Sequence, residues 1–219
     1  VDSVQREREY TPSSLIGGRW QPHLAQYVER SAHARATVPA RRDLRYGTAA
    51  RALLDFFPAP ADAGPRPVLL VYIHGGYWQE LSKDESAFLA PAWHAAGLAH
   101  AVVGYTLAPA ATLQAIVAEC RAAVAWLAAH ADDLGFDAAR MVVAGSSAGG
   151  HLAAAVADRS PVALRGIVPV SGVFDVAPLI GTSINDALRL TDADARALDL
   201  LSPGRRFCPA VVAWGEVET

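Results

Sequence analysis

The stretch Arg140–Asp158, RMVVAGSSAGGHLAAAVAD, decides the fold. Its first part, Arg140–Ala144, is a short apolar run of the kind that forms a buried strand. Its last part, Ala148–Asp158, has the pattern of a helix. Only a short turn of glycine and serine separates the two, so the chain passes directly from a strand into a helix. This arrangement predicts one unit of a parallel α/β sheet.

The same alternation extends on both sides of this stretch. Strands and helices that alternate in this way form crossover units, which produce a mainly parallel sheet with helices on both faces. The predicted fold class is therefore α/β. The further predicted strands are Val68–Ile73, Leu98–Val103, Leu164–Val170 and Ala210–Trp214, and the further predicted helices are Lys83–Gly97 and Leu113–His130.

The chain ahead of the parallel sheet has a different character. Two short strand patterns, Asp43–Tyr46 and Ala50–Phe57, lie around a glycine and predict an antiparallel hairpin at the edge of the sheet. Before them, residues 1–39 are expected to form an N-terminal arm with a helix around Pro22–Arg35. Residues 40–219 are expected to form a single α/β domain.

Composition restricts the class of protein. The chain has 219 residues, of which 52% are hydrophobic and 19% charged, and this composition excludes a disordered chain. A net charge of −3 gives no basic excess for nucleic acid or an anionic membrane. No apolar run approaches the roughly 20 residues of a membrane helix. A small molecule is therefore the expected partner, and the oligomeric state is left open.

Two cysteines, Cys120 and Cys208, are too few for a disulfide framework and are expected to be free thiols. They suit a reducing compartment, so a cytoplasmic location is expected. The polar start of the chain, VDSVQREREY, is not a signal peptide. No cysteine or histidine spacing matches a zinc site, and neither a metal nor a cofactor is expected.

The turn at the strand–helix junction, Gly145–Gly149, matches the G-x-S-x-G pattern of a nucleophile elbow. The serine lies at the apex of a sharp turn with a strained backbone, and the glycines let the strand and the helix approach closely. Ser147 is the candidate nucleophile, because its Oγ would project above the sheet beside a helix N-terminus that favours negative charge. The alternative is a glycine-rich turn with an inert serine.

The pentapeptide HGGYW, residues 74–78, directly follows a predicted strand. Glycine amides in this loop can approach a tetrahedral intermediate, and the loop after this strand lies beside the elbow. We assign the N–H groups of Gly75, Gly76 and Ala148 to an oxyanion hole, and expect His74 to shape the loop. The alternative is a plain Gly-Gly turn.

The closing loop supplies two candidate acids. In this architecture the catalytic residues occur in the order serine, acid, histidine. The last predicted strand is followed by Glu216 and Glu218, either of which could orient a histidine or be a solvated charge. None of the seven histidines follows them, and His151, one helical turn beyond Ser147, is expected to be a packed helix residue. A final strand, a loop with the base and a closing helix are expected beyond Thr219, which leaves an incomplete triad here.

Several stretches together resemble the kynurenine formamidase (arylformamidase) branch of the α/β-hydrolases. The elbow is common to all α/β-hydrolases, and HGG also occurs in hormone-sensitive-lipase-like esterases, whereas HGGYW and GTSINDALRL are more specific. The resemblance runs from about Tyr10 to the last residue. The stretches are HGGYW, GSSAGGHLAA, Gly104–Leu127, Val170–Leu190 and the closing VVAWGEVET.

The resemblance implies an α/β-hydrolase fold whose C-terminal strand and helix are apparently missing. It implies hydrolysis of N-formyl-L-kynurenine to formate and L-kynurenine, in tryptophan breakdown, through a formyl-enzyme on Ser147. The HGG loop would be the oxyanion hole, and the family's acid would be Glu218. The family's catalytic histidine would lie in a segment that this chain does not contain, and no metal is implied.

The aryl leaving group of such a substrate requires aromatic pocket walls, and Tyr77, Trp78 and Phe174 are candidates for them. Each could equally be an ordinary core or rim aromatic residue. Two other functions remain open. One is a carboxylesterase of the hormone-sensitive-lipase-like type, because the same oxyanion forms from esters. The other is a non-catalytic binding protein of the same fold, suggested by the absent histidine.

Overall fold

The computed structural model describes residues 2–11, 13–14 and 17–216. Within these ranges, six strands form one sheet in the order β1-β2-β4-β3-β5-β6. The strands are β1 (Arg41–Arg45), β2 (Leu53–Phe57), β3 (Leu69–Ile73), β4 (Ala99–Val103), β5 (Met141–Ser146) and β6 (Gly166–Val170). The helices are α1 (Ser3–Glu9), α2 (Gln21–Thr37), α3 (Ala90–Ala95), α4 (Leu113–Ala129), α5 (Ala131–Leu134), α6 (Ala148–Asp158), α7 (Asn185–Leu188) and α8 (Asp192–Leu198).

The centre of the sheet is parallel. Strands β4, β3, β5 and β6 run in one direction, while β2 pairs antiparallel with both β1 and β4. Every residue of β3 and β4 is buried, because helices cover both faces of these strands. The outermost strand β1, RRDLR, is mostly exposed, and its arginines discourage pairing with another chain at this edge. The predicted sheet and its antiparallel N-terminal hairpin are confirmed.

Two apolar layers sandwich the sheet. Along β3, Leu69, Val71 and Ile73 pack in the larger layer with α4 and α6, while Leu70 and Tyr72 point to the opposite face. This alternation follows from the two-residue period of a strand. The smaller layer includes Ala34 of α2 and Val38 directly after it, so part of the N-terminal arm packs on the sheet. The division of the chain at residue 39 stays a prediction.

The helix predicted over Lys83–Gly97 begins later than the sequence pattern indicates. A 3₁₀ turn at Ala87–Leu89 leads into α3, and the residues before it form a loop. Lys83 is buried there, and its Nζ lies within 3.0 Å of carboxylate oxygens of Asp43, Asp55 and Asp84. These contacts fix Lys83 in the loop. The predicted C-terminal glycine, Gly97, does follow the helix and has φ +76°.

The strand predicted at Ala210–Trp214 is present only as two isolated parallel bridges to β6. Its register is constant, because Ala210 pairs with Ile167 and Ala213 pairs with Val170. Between these pairs lies Pro169, which has no N–H to donate to the facing chain. The proline therefore interrupts the ladder, and the prediction of a regular strand here is wrong.

Cys120 is buried, Cys208 is half-buried, and both are free thiols, as predicted. None of the described helices is long and apolar enough to cross a membrane. In the described part of the chain, no group of three or more His, Cys, Asp and Glu side chains could hold a metal ion.

Candidate active site

Ser147 occupies the turn between β5 and α6 in a strained conformation. Its φ is +55° and its ψ is −123°, a combination that a residue with a side chain adopts only when its surroundings enforce it. The Ser147 N–H donates to the Val170 carbonyl at 2.8 Å, which ties the turn to β6. The Ser147 carbonyl accepts from the amides of Gly150 and His151 and begins the helix. This is the geometry that the elbow motif predicts.

The two motif glycines are required by close backbone contacts. A Cβ atom at Gly145 would lie 2.2 Å from the Gly149 carbonyl oxygen, and one at Gly149 would lie 2.0 Å from the Ile73 carbonyl oxygen. No side chain fits at either distance. Because α6 starts this close to β3 and β5, the serine is held at the carboxyl edge of the sheet, where the loop after β3 also lies.

The HGGYW loop packs directly against the elbow. A Cβ atom at Gly75 would lie 3.3 Å from the Ser147 Cβ and 2.8 Å from the Ser146 carbonyl oxygen. Gly76, Tyr77 and Trp78 follow with φ of +97°, +46° and +59°. Three successive left-handed residues turn the loop sharply, and such strain is characteristic of functional sites.

The amides assigned to the oxyanion hole are available as donors. Among the described residues, the N–H groups of Gly75, Gly76 and Ala148 donate no hydrogen bond to the backbone. Ala148 is the first residue of α6, and the first amides of a helix have no partner within it. Whether these three amides bind an oxyanion remains a prediction.

His74 supports the loop. Its ring stacks on Tyr105 with centroids 4.1 Å apart, and its Nδ1 lies 2.9 Å from the Gly75 carbonyl oxygen. The Tyr105 hydroxyl donates to the His74 carbonyl at 3.0 Å. Burial lowers the pKa of His74 to about 4, so the ring is neutral at pH 7. These contacts agree with a residue that shapes the loop.

His151 is fully buried in α6, as predicted for a packed helix histidine. Its ring meets Trp78 edge-on with centroids 5.2 Å apart. Burial lowers the pKa of His151 to about 4. In the part of the chain that the structure describes, no histidine side chain forms a hydrogen bond with Ser147.

The two candidate acids of the triad lie at the end of the chain. Glu218 lies outside the described residues, so its position relative to Ser147 is not part of the structure. Glu216 is exposed in the loop after the last paired residues. Both glutamates stay candidates on the sequence pattern alone.

The structure distinguishes the three aromatic residues predicted to line the pocket. Tyr77 and Phe174 are partly exposed, so both could face a ligand. Trp78 is 0% exposed and belongs to the core. Its ring packs edge-on against His151, and its role as a pocket wall stays a prediction that this burial does not favour.

The N-terminal arm and the segment 177–188 close over the HGGYW loop, which the sequence did not indicate. The Tyr77 hydroxyl donates to the Tyr10 carbonyl at 2.7 Å, and the side-chain amide of Gln79 donates to the Ile184 carbonyl at 2.8 Å. Glu7 of α1 also accepts from the N–H and the hydroxyl of Ser183. These contacts join residues that are far apart in the chain, so no local sequence signal could reveal them.

Comparison with known proteins identifies the family. The BD-FAE family model matches residues 54–163. A kynurenine formamidase from Danio rerio is 31% identical over 94% of this chain and 75% of the relative. A hormone-sensitive lipase from Mus musculus is 30% identical, but the match covers 68% of this chain and 19% of the relative.

A solved structure supports the same assignment of the fold. The crystal structure of a putative thioesterase from Silicibacter sp. TM1040 superposes with a TM-score of 0.85 and 28% identity, over 97% of this chain and 80% of that chain. The fold, the strained serine and the extended match to a formamidase agree. The chain belongs to the kynurenine formamidase branch of the α/β-hydrolases.

Proposed function

We propose that this chain is a serine hydrolase that cleaves an aryl formamide, N-formyl-L-kynurenine, into formate and L-kynurenine. The observation that carries the proposal is the contact between Gly75 and the strained Ser147 in a member of this family. It brings a candidate nucleophile and free backbone donors to one place. Acyl transfer needs both.

The reaction has two halves. Ser147 Oγ attacks the formyl carbon, and the oxyanion that forms is stabilised by the amides of Gly75, Gly76 and Ala148. Collapse of this intermediate breaks the C–N bond, and the arylamine leaves with one proton. Water then attacks the formyl-enzyme, which releases formate and restores the serine hydroxyl.

The proton of Ser147 needs an acceptor. No described histidine side chain hydrogen-bonds to the serine, so the proposal assigns the base to no histidine of this sequence. Glu218 remains the proposed acid that orients such a base. The formyl group is small, so a narrow acyl side of the site suffices, and Tyr77 and Phe174 are the proposed walls for the aryl group.

The test is a comparison of two substrates. We expect the protein to release kynurenine from N-formyl-L-kynurenine, and the Ser147→Ala variant to lose this activity while keeping its thermal unfolding curve. Formamide cleavage by Ser147→Ala at the rate of the wild type would refute the proposed nucleophile. No turnover of the formamide, with rapid cleavage of p-nitrophenyl acetate, would refute the proposed substrate.

A carboxylesterase is the second candidate. The match to a hormone-sensitive lipase favours it, because esters and formamides pass through the same kind of oxyanion. Rapid ester cleavage that depends on Ser147, without formamide cleavage, would establish this alternative.

The two free cysteines suit a reducing compartment, so we propose a cytoplasmic location. Fractionation of cells that express the protein would test it. Recovery of the protein outside the cytoplasmic fraction would contradict the assignment.

A further inference from the structure

A cavity of about 200 Å³ lies between α4, α6 and the segment 197–205. It is separate from the catalytic centre. Ser147 precedes the first residue of α6, whereas Asp158, on the cavity wall, is its last. An eleven-residue helix is about 16 Å long, so α6 places the two sites at opposite ends.

Three arginines and one carboxylate line this cavity. They are Arg121, Arg159, Arg205 and Asp158. Asp158 is nearly buried, accepts a hydrogen bond from Arg205 Nη1 at 2.6 Å and lies 3.7 Å from Arg159 Nε. One carboxylate cannot neutralise three guanidinium groups. The cavity therefore carries an excess of positive charge.

Arg121 is the least satisfied of these groups. Its Nη2 donates to the Ala155 carbonyl at 2.6 Å, but its buried Nε has no hydrogen-bond partner among the described residues. Burial lowers the pKa of Arg121, and the charges of Arg159 and Arg205 lower it further, against the opposing effect of Asp158. Buried polar groups are nearly always paired, so this unpaired N–H shows that the contacts within the protein leave the Arg121 guanidinium incompletely satisfied.

The remaining walls are apolar. Val117, Ala155, Leu198 and Leu200 are buried and face the same cavity. A fully hydrated ion gains little from such walls, whereas an organic anion can bury its hydrocarbon part there. Guanidinium groups match the planar geometry of a carboxylate.

We propose that this cavity binds a small organic carboxylate. The carboxylate pairs with Arg121 and Arg205, and the hydrocarbon body packs against Val117, Leu198 and Leu200. The site is independent of the hydrolase reaction, because none of its residues belongs to the proposed catalytic machinery.

Isothermal titration calorimetry with benzoate, at low ionic strength, tests the site in the 219-residue protein. We expect saturable 1:1 binding that weakens at least tenfold in Arg121→Gln. The matched control is Arg196→Gln, since Arg196 is an exposed arginine of α8 outside the cavity wall. It removes the same charge and is expected to change the Kd by less than twofold.

A second variant makes the test robust. If Arg121→Gln does not fold, Leu198→Phe fills the cavity instead, and we expect it to abolish benzoate binding. Absence of binding to the wild-type protein would overturn the proposal, as would equal weakening by Arg196→Gln. Equal affinity for benzyl alcohol would show that the charges play no part. Equal affinity for inorganic phosphate would show that the apolar walls play none.

Discussion

Gly75 and Ser147 are in contact at the carboxyl edge of the sheet, so closely that a side chain at position 75 would not fit. An added Cβ at Gly75 would lie 3.3 Å from the serine Cβ and 2.8 Å from the preceding carbonyl oxygen. The loop after β3 and the elbow after β5 are adjacent because their strands are neighbours in the sheet. This contact places the Gly75 amide close to the candidate nucleophile.

Replacement of Gly75 by alanine should therefore reduce activity more than stability. The added methyl group displaces the loop, and loss of one oxyanion donor costs about 3 kcal/mol, or about a hundredfold in kcat. Formamide hydrolysis by the variant would measure the effect. Gly135→Ala is the control, because Gly135 has a left-handed φ of +76° but no neighbour within 4 Å. It should lower Tm and leave kcat unchanged.

Added imidazole should accelerate hydrolysis by this chain. No described histidine ring hydrogen-bonds to Ser147, so a free imidazole can take the role of the base. The rate of formamide cleavage should rise with imidazole concentration. The Ser147→Ala variant measures the uncatalysed cleavage by imidazole itself, so its rate should rise with imidazole concentration much less steeply than that of the wild type. Identical slopes in the two proteins would contradict a role for the serine.

Loss of Lys83, the only lysine of the sequence, should destabilise the fold. Asp55 is 0% exposed, and Lys83→Met would leave its carboxylate buried with no cation beside it. Breaking a buried pair in this way costs about 3 kcal/mol. Chemical denaturation would measure the loss. Lys83→Met combined with Asp55→Asn should recover part of it.

The control for Lys83 is Arg66→Met, which removes an exposed ion pair with Asp132 and should change Tm little.

The pH range in which Lys83 stabilises the fold follows from the shifted pKa values of Asp43 and Lys83. Hydrogen bonds from Lys83 lower the pKa of Asp43. Burial acts to lower the pKa of Lys83, but hydrogen bonds to Asp43 and Asp55 outweigh it and raise that pKa. The stabilisation should be lost below about pH 4 and above about pH 10. Equal effects of Lys83→Met and Arg66→Met at pH 7 would contradict the role of this cluster.

His151 should make the fold sensitive to acid. Its folded-state pKa of about 4 lies below the unfolded value of about 6.5, so the unfolded chain binds the proton more readily. The stability that this difference contributes is fully present well above pH 6.5. It decreases as the pH falls, by about 2 kcal/mol at pH 5. Denaturation of His151→Leu at pH 7.5 and pH 5 would test this. The variant should lose less stability on acidification than the wild type, and equal losses would contradict the prediction.

The sequence predicted the strand, turn and helix around Ser147 well, because the residue patterns that indicate them are local. The strand, turn and helix at Arg140–Asp158 follow from apolar runs and glycines within one stretch of chain. The predicted helix Ala148–Asp158 has the same bounds as α6. Regions with weaker local signals were predicted less well. The sequence around Lys83 has a helical pattern, but the residue lies in a loop. Its Nζ is held there by the distant carboxylates of Asp43 and Asp55 and by the neighbouring carboxylate of Asp84.

By itself, the sequence determined the α/β fold, the position of Ser147 at a strained turn and the glycine loop beside it. Each of these depends on residue types within a few positions of one another. The tertiary structure alone decided that Trp78 turns into the core, that Pro169 interrupts the last ladder and that three arginines meet around Asp158. These outcomes depend on contacts between residues distant in the chain, and such contacts exist only once the sheet and its helices have packed.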